Sequence, residues 1–140
     1  MSEEVQVEVL GVDELTDGEG AGTSCVVLRD NEMRQLSLTV GLCDATAIGS
    51  IVDGRIGDRP STHDSALRML EAAGATMTRV TITEAFDGAY YALAHLSIGD
   101  HSDQVDMRAL DAVAFAIRAK CPIFVAEHVM AENAVEDVAP

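Results

Sequence analysis

With 140 residues, 48% of them hydrophobic, the chain is long enough to bury one compact core. No run of about 18 apolar residues occurs, so no segment reads as a membrane-spanning helix. A net charge of −15, with one Lys and no basic run, argues against duplex binding by a broad electropositive surface.

The charge is uneven. Residues 3–19 carry seven acids and residues 127–140 four, neither segment with a Lys or Arg, while the stretch between sets thirteen acids against all nine basic residues. The opening MSEEVQVEV is acidic where a signal peptide is basic and then apolar, so the protein is read as cytoplasmic. Only 4% of residues are aromatic and none is Trp, which predicts a core of Val, Leu, Ile, Ala and Met and no aromatic platform for stacking bases. Cys25, Cys43 and Cys121 are isolated within apolar segments, so they read as buried reduced thiols and not as a disulfide or zinc framework.

In chain order, Val5, Val7 and Val9 alternate with Gln6 and Glu8 as in a half-buried strand. After the turn DGEGAG comes the apolar run TSCVVLRD, then a second turn, DNEMR, and the alternating QLSLTV. These three read as an antiparallel meander. Helical spacing follows in LCDATAIGSIV, broken by DGRIGDRPS. A second helix is expected from Thr62, with Leu67 and Leu70 on its apolar face and Gly74 as the left-handed residue beyond its end. Two β-rich runs flank Asp87-Gly88, a strong type I′ hairpin signal. A loop, GDHSD, leads to the short strand QVDM. The helix ALDAVAFAIRAK, with Leu110, Val113, Ala114 and Ile117 on one stripe, precedes a buried strand, CPIFVAE, opened by Pro122. A short helix, EHVMAENA, and an acidic tail close the chain.

The blocks CDATAIG and LDAVAFA share Asp-Ala-x-Ala, each after strands, which suggests two β-meander-plus-helix halves. The expected fold is therefore α+β: a mixed, largely antiparallel sheet with three to four packed helices. It forms a single domain over residues 1–134, with 135–140 as the tail.

Two clusters carry candidate chemistry. In RPSTHD, Thr62 reads as the N-cap and Asp64 as a first-turn carboxylate favoured by the helix dipole. His63 has no such structural role and, near Arg59, fits a general base. In VDMRALD, Asp106 at a strand end and Asp111 at a helix start have the placement of divalent-cation or water-orienting carboxylates, with Arg108 between them. Dipole capping by Asp111 and a salt bridge from Arg108 explain the same residues without chemistry. Asp44 repeats the position of Asp111 in the first half. Arg55, Arg59 and Arg68 bracket a Gly-containing loop that lacks a Walker or dinucleotide pattern. His95, His101 and His128 have no metal-ligand partner at useful spacing, and no Ser lies in a nucleophile elbow.

RPSTHDSALRMLEAAGA, DGAYYALAHL, VDMRALDAVAFAIRAKCPIFVAE and LTVGLCDATAIG together resemble the bifunctional nuclease domain family over about residues 5–134. The resemblance implies a compact α+β domain that self-associates, a dimer being the expected homo-oligomer, and a nuclease activity toward DNA and RNA. It carries over Arg59, Pro60, Thr62, His63 and Asp64, and also Asp106, Arg108 and Asp111. The chain has Ala109-Leu110 where the family usually shows Pro-Ser, Thr46 among positions often acidic, and His128 where a second glutamate is common.

By that resemblance His63, Asp64 and Asp111 are the expected catalytic residues. Arg59, Arg108 and Thr62 are expected to hold substrate, and Asp106 to contribute to a divalent-cation (Mg or Mn) site. Short or single-stranded nucleic acid is the expected partner, with no membrane. The alternative is a non-enzymatic oligomeric module that binds a protein partner or a small anionic ligand.

Overall fold

The computed structural model of the chain describes residues 3–16, 22–40 and 59–136. The helix expected over residues 42–52, with Cys43, Asp44 and Thr46, lies outside these residues, as do Arg55 and the last four positions.

Strands β1 (Glu4–Thr16), β2 (Gly22–Asp30) and β3 (Arg34–Val40) form the antiparallel meander expected from their patterns. β1 runs further than its alternation suggests. A register shift between Val9 and Gly11, where Gly11 takes φ 152°, forms a bulge past which pairing with β2 continues to Thr16. Cys25, Val26, Val27 and Leu28 of β2 are all buried, so both faces of that strand are covered. Two-sided burial is why it reads as an unbroken apolar run.

A second meander follows: β4 (Ala75–Phe86), β5 (Ala89–Ile98) and β6 (His101–Arg108). Asp87 and Gly88 take φ 52° and 78°, the two positive values that a type I′ turn needs. β6 begins at His101, so the expected loop GDHSD contracts to the turn at Gly99-Asp100. The sequence hid this extension because β6 is an edge strand. Its residues 101–106 are exposed, and backbone pairing there needs no apolar pattern.

Between the meanders lies β7 (Ile123–Ala126), parallel to β4 and antiparallel to β1, with Pro122 just ahead of it. The strand order is β6-β5-β4-β7-β1-β2-β3-β8, where β8 (Val135–Glu136) pairs with the start of β3. Each meander begins beside β7 and runs outward, so the two expected meanders are present; the helix expected to complete the first half lies outside the described residues. Three helices occur among the described residues: α1 (Thr62–Ala72), α2 (Ala109–Ala119) and α3 (Glu127–Asn133). None of them is long and apolar enough to cross a membrane.

α2 carries the chain from β6 back to β7. It packs mainly through Ala109, Ala112, Val113, Ala114 and Ala116, all buried, while Leu110 and Ile117 are only partly covered. α3 inserts Val129 and Met130 against β3, β4 and β7. α1 has no fully buried residue; Leu67 and Leu70 are partly covered against the core. Its position therefore owes much to polar contacts in its first turn.

A second polar tie holds the β2–β3 turn. The Asp30 carboxylate, wholly buried, accepts from the Glu32 and Arg34 amides at 3.0 and 2.9 Å and from Arg34 Nε at 2.8 Å. Arg34 also donates through both Nη atoms to Glu127 at 2.8 Å each, joining the β2–β3 turn to the start of α3. The fork matches two carboxylates at once, a geometry that Lys does not reproduce.

Candidate active site at the α1–α2 crossing

The N-cap of α1 is Ser61, which corrects the assignment of Thr62. Ser61 Oγ accepts from the Asp64 amide at 3.2 Å, and the Asp64 carboxylate accepts from the Ser61 amide at 3.0 Å. This reciprocal pair is a capping box. The choice follows from reach: three residues beyond Ser61 stands a carboxylate, whereas three beyond Thr62 stands Ser65. Thr62 takes the first helical position and is exposed. At the other end Gly74 takes φ 83°, as expected.

The cap aims two side chains at α2. Asp111, Phe115 and Arg118 form one stripe of α2 at i, i+4 and i+7, and the first turn of α1 lies against it. His63 Nε2 lies 3.3 Å from Asp111 Oδ1, and the imidazole meets the Phe115 ring edge-on at 4.7 Å and 71°. Arg108, the residue before α2, donates from Nε to Asp111 Oδ2 at 2.9 Å and from Nη2 to Oδ1 at 3.1 Å. Asp64 Oδ1 lies 2.9 Å from Arg118 Nε. That contact is an ion pair without hydrogen-bond alignment, and buried Arg118 Nε has no hydrogen-bond acceptor among the described residues.

The His63 side chain is 18% exposed and that of Asp111 29%, so the pair is screened but reachable. The Arg108 fork holds the Asp111 carboxyl below its ordinary range, with His63 adding to it and burial working the other way. Asp64 is lowered first by the Ser61 amide, against burial, and then by the Ser61 hydroxyl and the Arg118 charge. Asp111 is therefore a carboxylate at neutral pH and only accepts hydrogen bonds. Its partner Nε2 must carry the proton, which leaves the lone pair of a neutral imidazole on Nδ1.

Of the residues singled out from sequence, His63, Asp64, Arg108 and Asp111 meet at this crossing. Arg59 is exposed, two positions before the cap. Asp106 is exposed on β6, opposite Leu93, and its side chain has no hydrogen bond or ion pair among the described residues. His95 packs half-buried beside Thr81 Oγ1 at 3.2 Å, and burial lowers its pKa. His128 lies 3.3 Å from Glu84.

The described donors fit a divalent cation poorly. No group of three or more His, Cys, Asp or Glu side chains converges among them, and both Asp111 oxygens already take arginine N–H groups. Asp64 is likewise committed to the cap and to Arg118.

Ser61, Phe115 and Arg118 join the site without being among the residues that the sequence singles out. The Ser-x-x-Asp spacing of the cap was visible in principle. The stripe of Phe115 and Arg118 was visible too, but not that α1 would lie on it.

Two outward-running meanders around a parallel central strand, with a histidine and two Asp–Arg pairs where two helices cross, define a class of small α+β domain. The chain belongs to the bifunctional nuclease domain family, whose model matches residues 26–137. It is also similar to two uncharacterized proteins of Mycobacterium tuberculosis, from strains CDC 1551 and H37Rv. Each is 34% identical over 108 residues, which are 76% of this chain and 64% of the relative. The chain thus spans slightly less than two thirds of the length of these relatives.

Proposed function

We propose that the domain hydrolyses phosphodiester bonds of nucleic acid, with His63 as the proton-transfer group. The observation that carries this reading is the chain Arg108–Asp111–His63. It joins the RPSTHD and VDMRALD blocks, far apart in sequence, into one imidazole–carboxylate–guanidinium unit.

In this reading Asp111 holds the imidazole in the tautomer whose Nδ1 accepts a proton from water as the water oxygen attacks phosphorus. The P–O bond to the leaving nucleotide breaks on the opposite side of phosphorus, the departing oxygen takes a proton from solvent, and the imidazolium then releases the proton it gained to solvent. Arg108 and exposed Arg59 supply positive charge for the phosphorane-like transition state. Asp64 acts through position: it caps α1 and, with Arg118, sets where His63 stands. Thr62 and Asp106 are exposed and available to substrate but not needed for the proton path. No step is routed through a metal, because the described donors do not form a site for one.

The test is cleavage of labelled single-stranded DNA and RNA by wild-type protein and by His63→Ala, with divalent cations and with chelator. Loss of cleavage in a folded His63→Ala protein supports the reading; equal cleavage by both proteins overturns it. The second reading, an oligomeric binding module without turnover, is favoured by one observation. His63, Asp64, Asp111 and Arg118 are each engaged by partners within the chain. Absence of cleavage under every condition would leave that reading.

A further inference from the structure

Phe115 and Phe124 are engaged inside the molecule, by the His63 ring and by the Arg79 guanidinium at 5.3 Å. The other three of the chain's five aromatic residues fall within six positions, Phe86, Tyr90 and Tyr91, on the β4–β5 hairpin. Phe86 closes the hairpin turn and is 74% exposed; Tyr91 is 44% exposed. Ordinary cores consume their aromatics, because burying one contributes more than any aliphatic side chain does. Composition alone predicts no aromatic platform, yet this chain, poor in aromatics, leaves two of them in water at one place.

That place adjoins the His63–Asp111–Arg108 cluster. Tyr91 is the cross-strand partner of Arg108, so the two side chains leave the sheet on the same face as neighbours. Both line a groove of about 360 Å³, together with Tyr90, Leu110 and, from the far side of the sheet order, Ser37 and Thr39. The sheet therefore curls until β3 and β5 share one cleft, with aromatic, hydroxyl and guanidinium groups around it. Burial raises the Tyr90 phenol above its ordinary pKa, so it stays a neutral donor.

We propose that this hairpin and groove are a base-stacking subsite for single-stranded nucleic acid, Tyr91 and Phe86 being the platforms. The proposal rests on the nucleic-acid reading above and deepens it. Stacking offers affinity without net positive charge, which is how a chain of net charge −15 can hold a polyanion. Every base presents a π-face, so the subsite is sequence-tolerant. It requires unpaired bases and thereby selects single strands. A base on Tyr91 brings its phosphodiester toward Arg108, the residue that also orients Asp111.

The test uses the full chain carrying His63→Ala, so that hydrolysis does not consume the probe. Because the chain has two tyrosines and no Trp, its intrinsic emission reports on Tyr90 and Tyr91 alone. An oligothymidylate is expected to quench it, and an abasic strand of equal length and charge is not. Tyr91→Ala should weaken oligothymidylate binding about 5- to 100-fold, and Tyr91→Phe, which keeps the ring, should restore it. Equal binding of the two strands, no binding of either, or wild-type affinity in Tyr91→Ala overturns the subsite. A change of oligomeric state in Phe86→Ala with unchanged oligonucleotide affinity also overturns it and assigns the hairpin to a second copy of the chain. Base-dependent binding without cleavage by wild-type protein refutes the hydrolytic reading alone. Cleavage without base-dependent binding refutes the subsite alone.

Discussion

His63 Nε2 and Asp111 Oδ1, 48 positions apart in the chain, meet at 3.3 Å where the first turn of α1 rests on α2. The contact is directional: a carboxylate lowered by Arg108 accepts, and the imidazole donates. It links the start of a helix with little buried surface to a helix packed tightly on the sheet.

The pair should therefore be energetically coupled. A double-mutant cycle of His63→Ala and Asp111→Ala is expected to give a coupling of about 0.5–1 kcal/mol, since both groups are partly exposed. Urea unfolding of the four proteins measures it. Strict additivity would show that the contact does not form in solution.

The capping box predicts a contrast between adjacent residues. Ser61→Ala should cost about 1 kcal/mol, because it leaves a first-turn amide without its acceptor. Thr62→Ala, at an exposed first helical position, should stay within about 0.5 kcal/mol of wild type. The reverse order in thermal melts would restore Thr62 as the cap.

Arg34 is expected to be the most sensitive arginine for stability. Arg34→Ala leaves the buried Asp30 carboxylate with amide partners only, and breaking a buried charge pair costs about 3 kcal/mol. Arg34→Lys should rescue less than half of this, since one ammonium cannot serve Asp30 and Glu127 as the fork does. Full rescue by Lys in denaturant melts would mean that charge alone suffices.

Acid should act through the same carboxylates. Asp30, Asp64 and Asp111 all have folded-state values below the ordinary one, Asp30 because hydrogen bonds from Arg34 and Glu32 outweigh its burial. The unfolded chain then takes up protons at higher pH than the folded one. Their stabilisation is complete above the ordinary carboxylate value of about 4 and is lost as pH falls through the lower folded values. Melting temperature should drop below about pH 4, with a shallower fall in Asp111→Asn. An unchanged slope in that variant would remove Asp111 from this linkage.

Nucleic-acid binding, if it relies on stacking with two arginines near phosphate, should depend weakly on salt. Two neutralised phosphates on a single strand give a slope of log K against log salt of about −1.4. A much steeper slope from fluorescence titrations at several salt concentrations would require a basic surface elsewhere.

Local patterns determined much of this protein on their own. The first meander, the Asp87-Gly88 turn and the buried strand after Pro122 follow from alternation, turn chemistry and apolar runs, which act over a few residues. Gly74 at the end of α1 is legible for the same reason. His63, Asp64, Arg108 and Asp111 could be singled out because each stands at an element boundary next to residues of opposite or titratable charge. Where side chains meet over long distances, local pattern is silent. That β7 separates the two meanders, that β6 starts at His101, and that α1 lies across Asp111, Phe115 and Arg118 were decided by tertiary packing. Edge pairing needs only backbone groups, and helix crossing depends on how the small buried face of α2 seats on the sheet. The grouping of Tyr91 with Arg108 belongs to the same class. Seventeen positions apart, they become neighbours only through the register of two antiparallel strands.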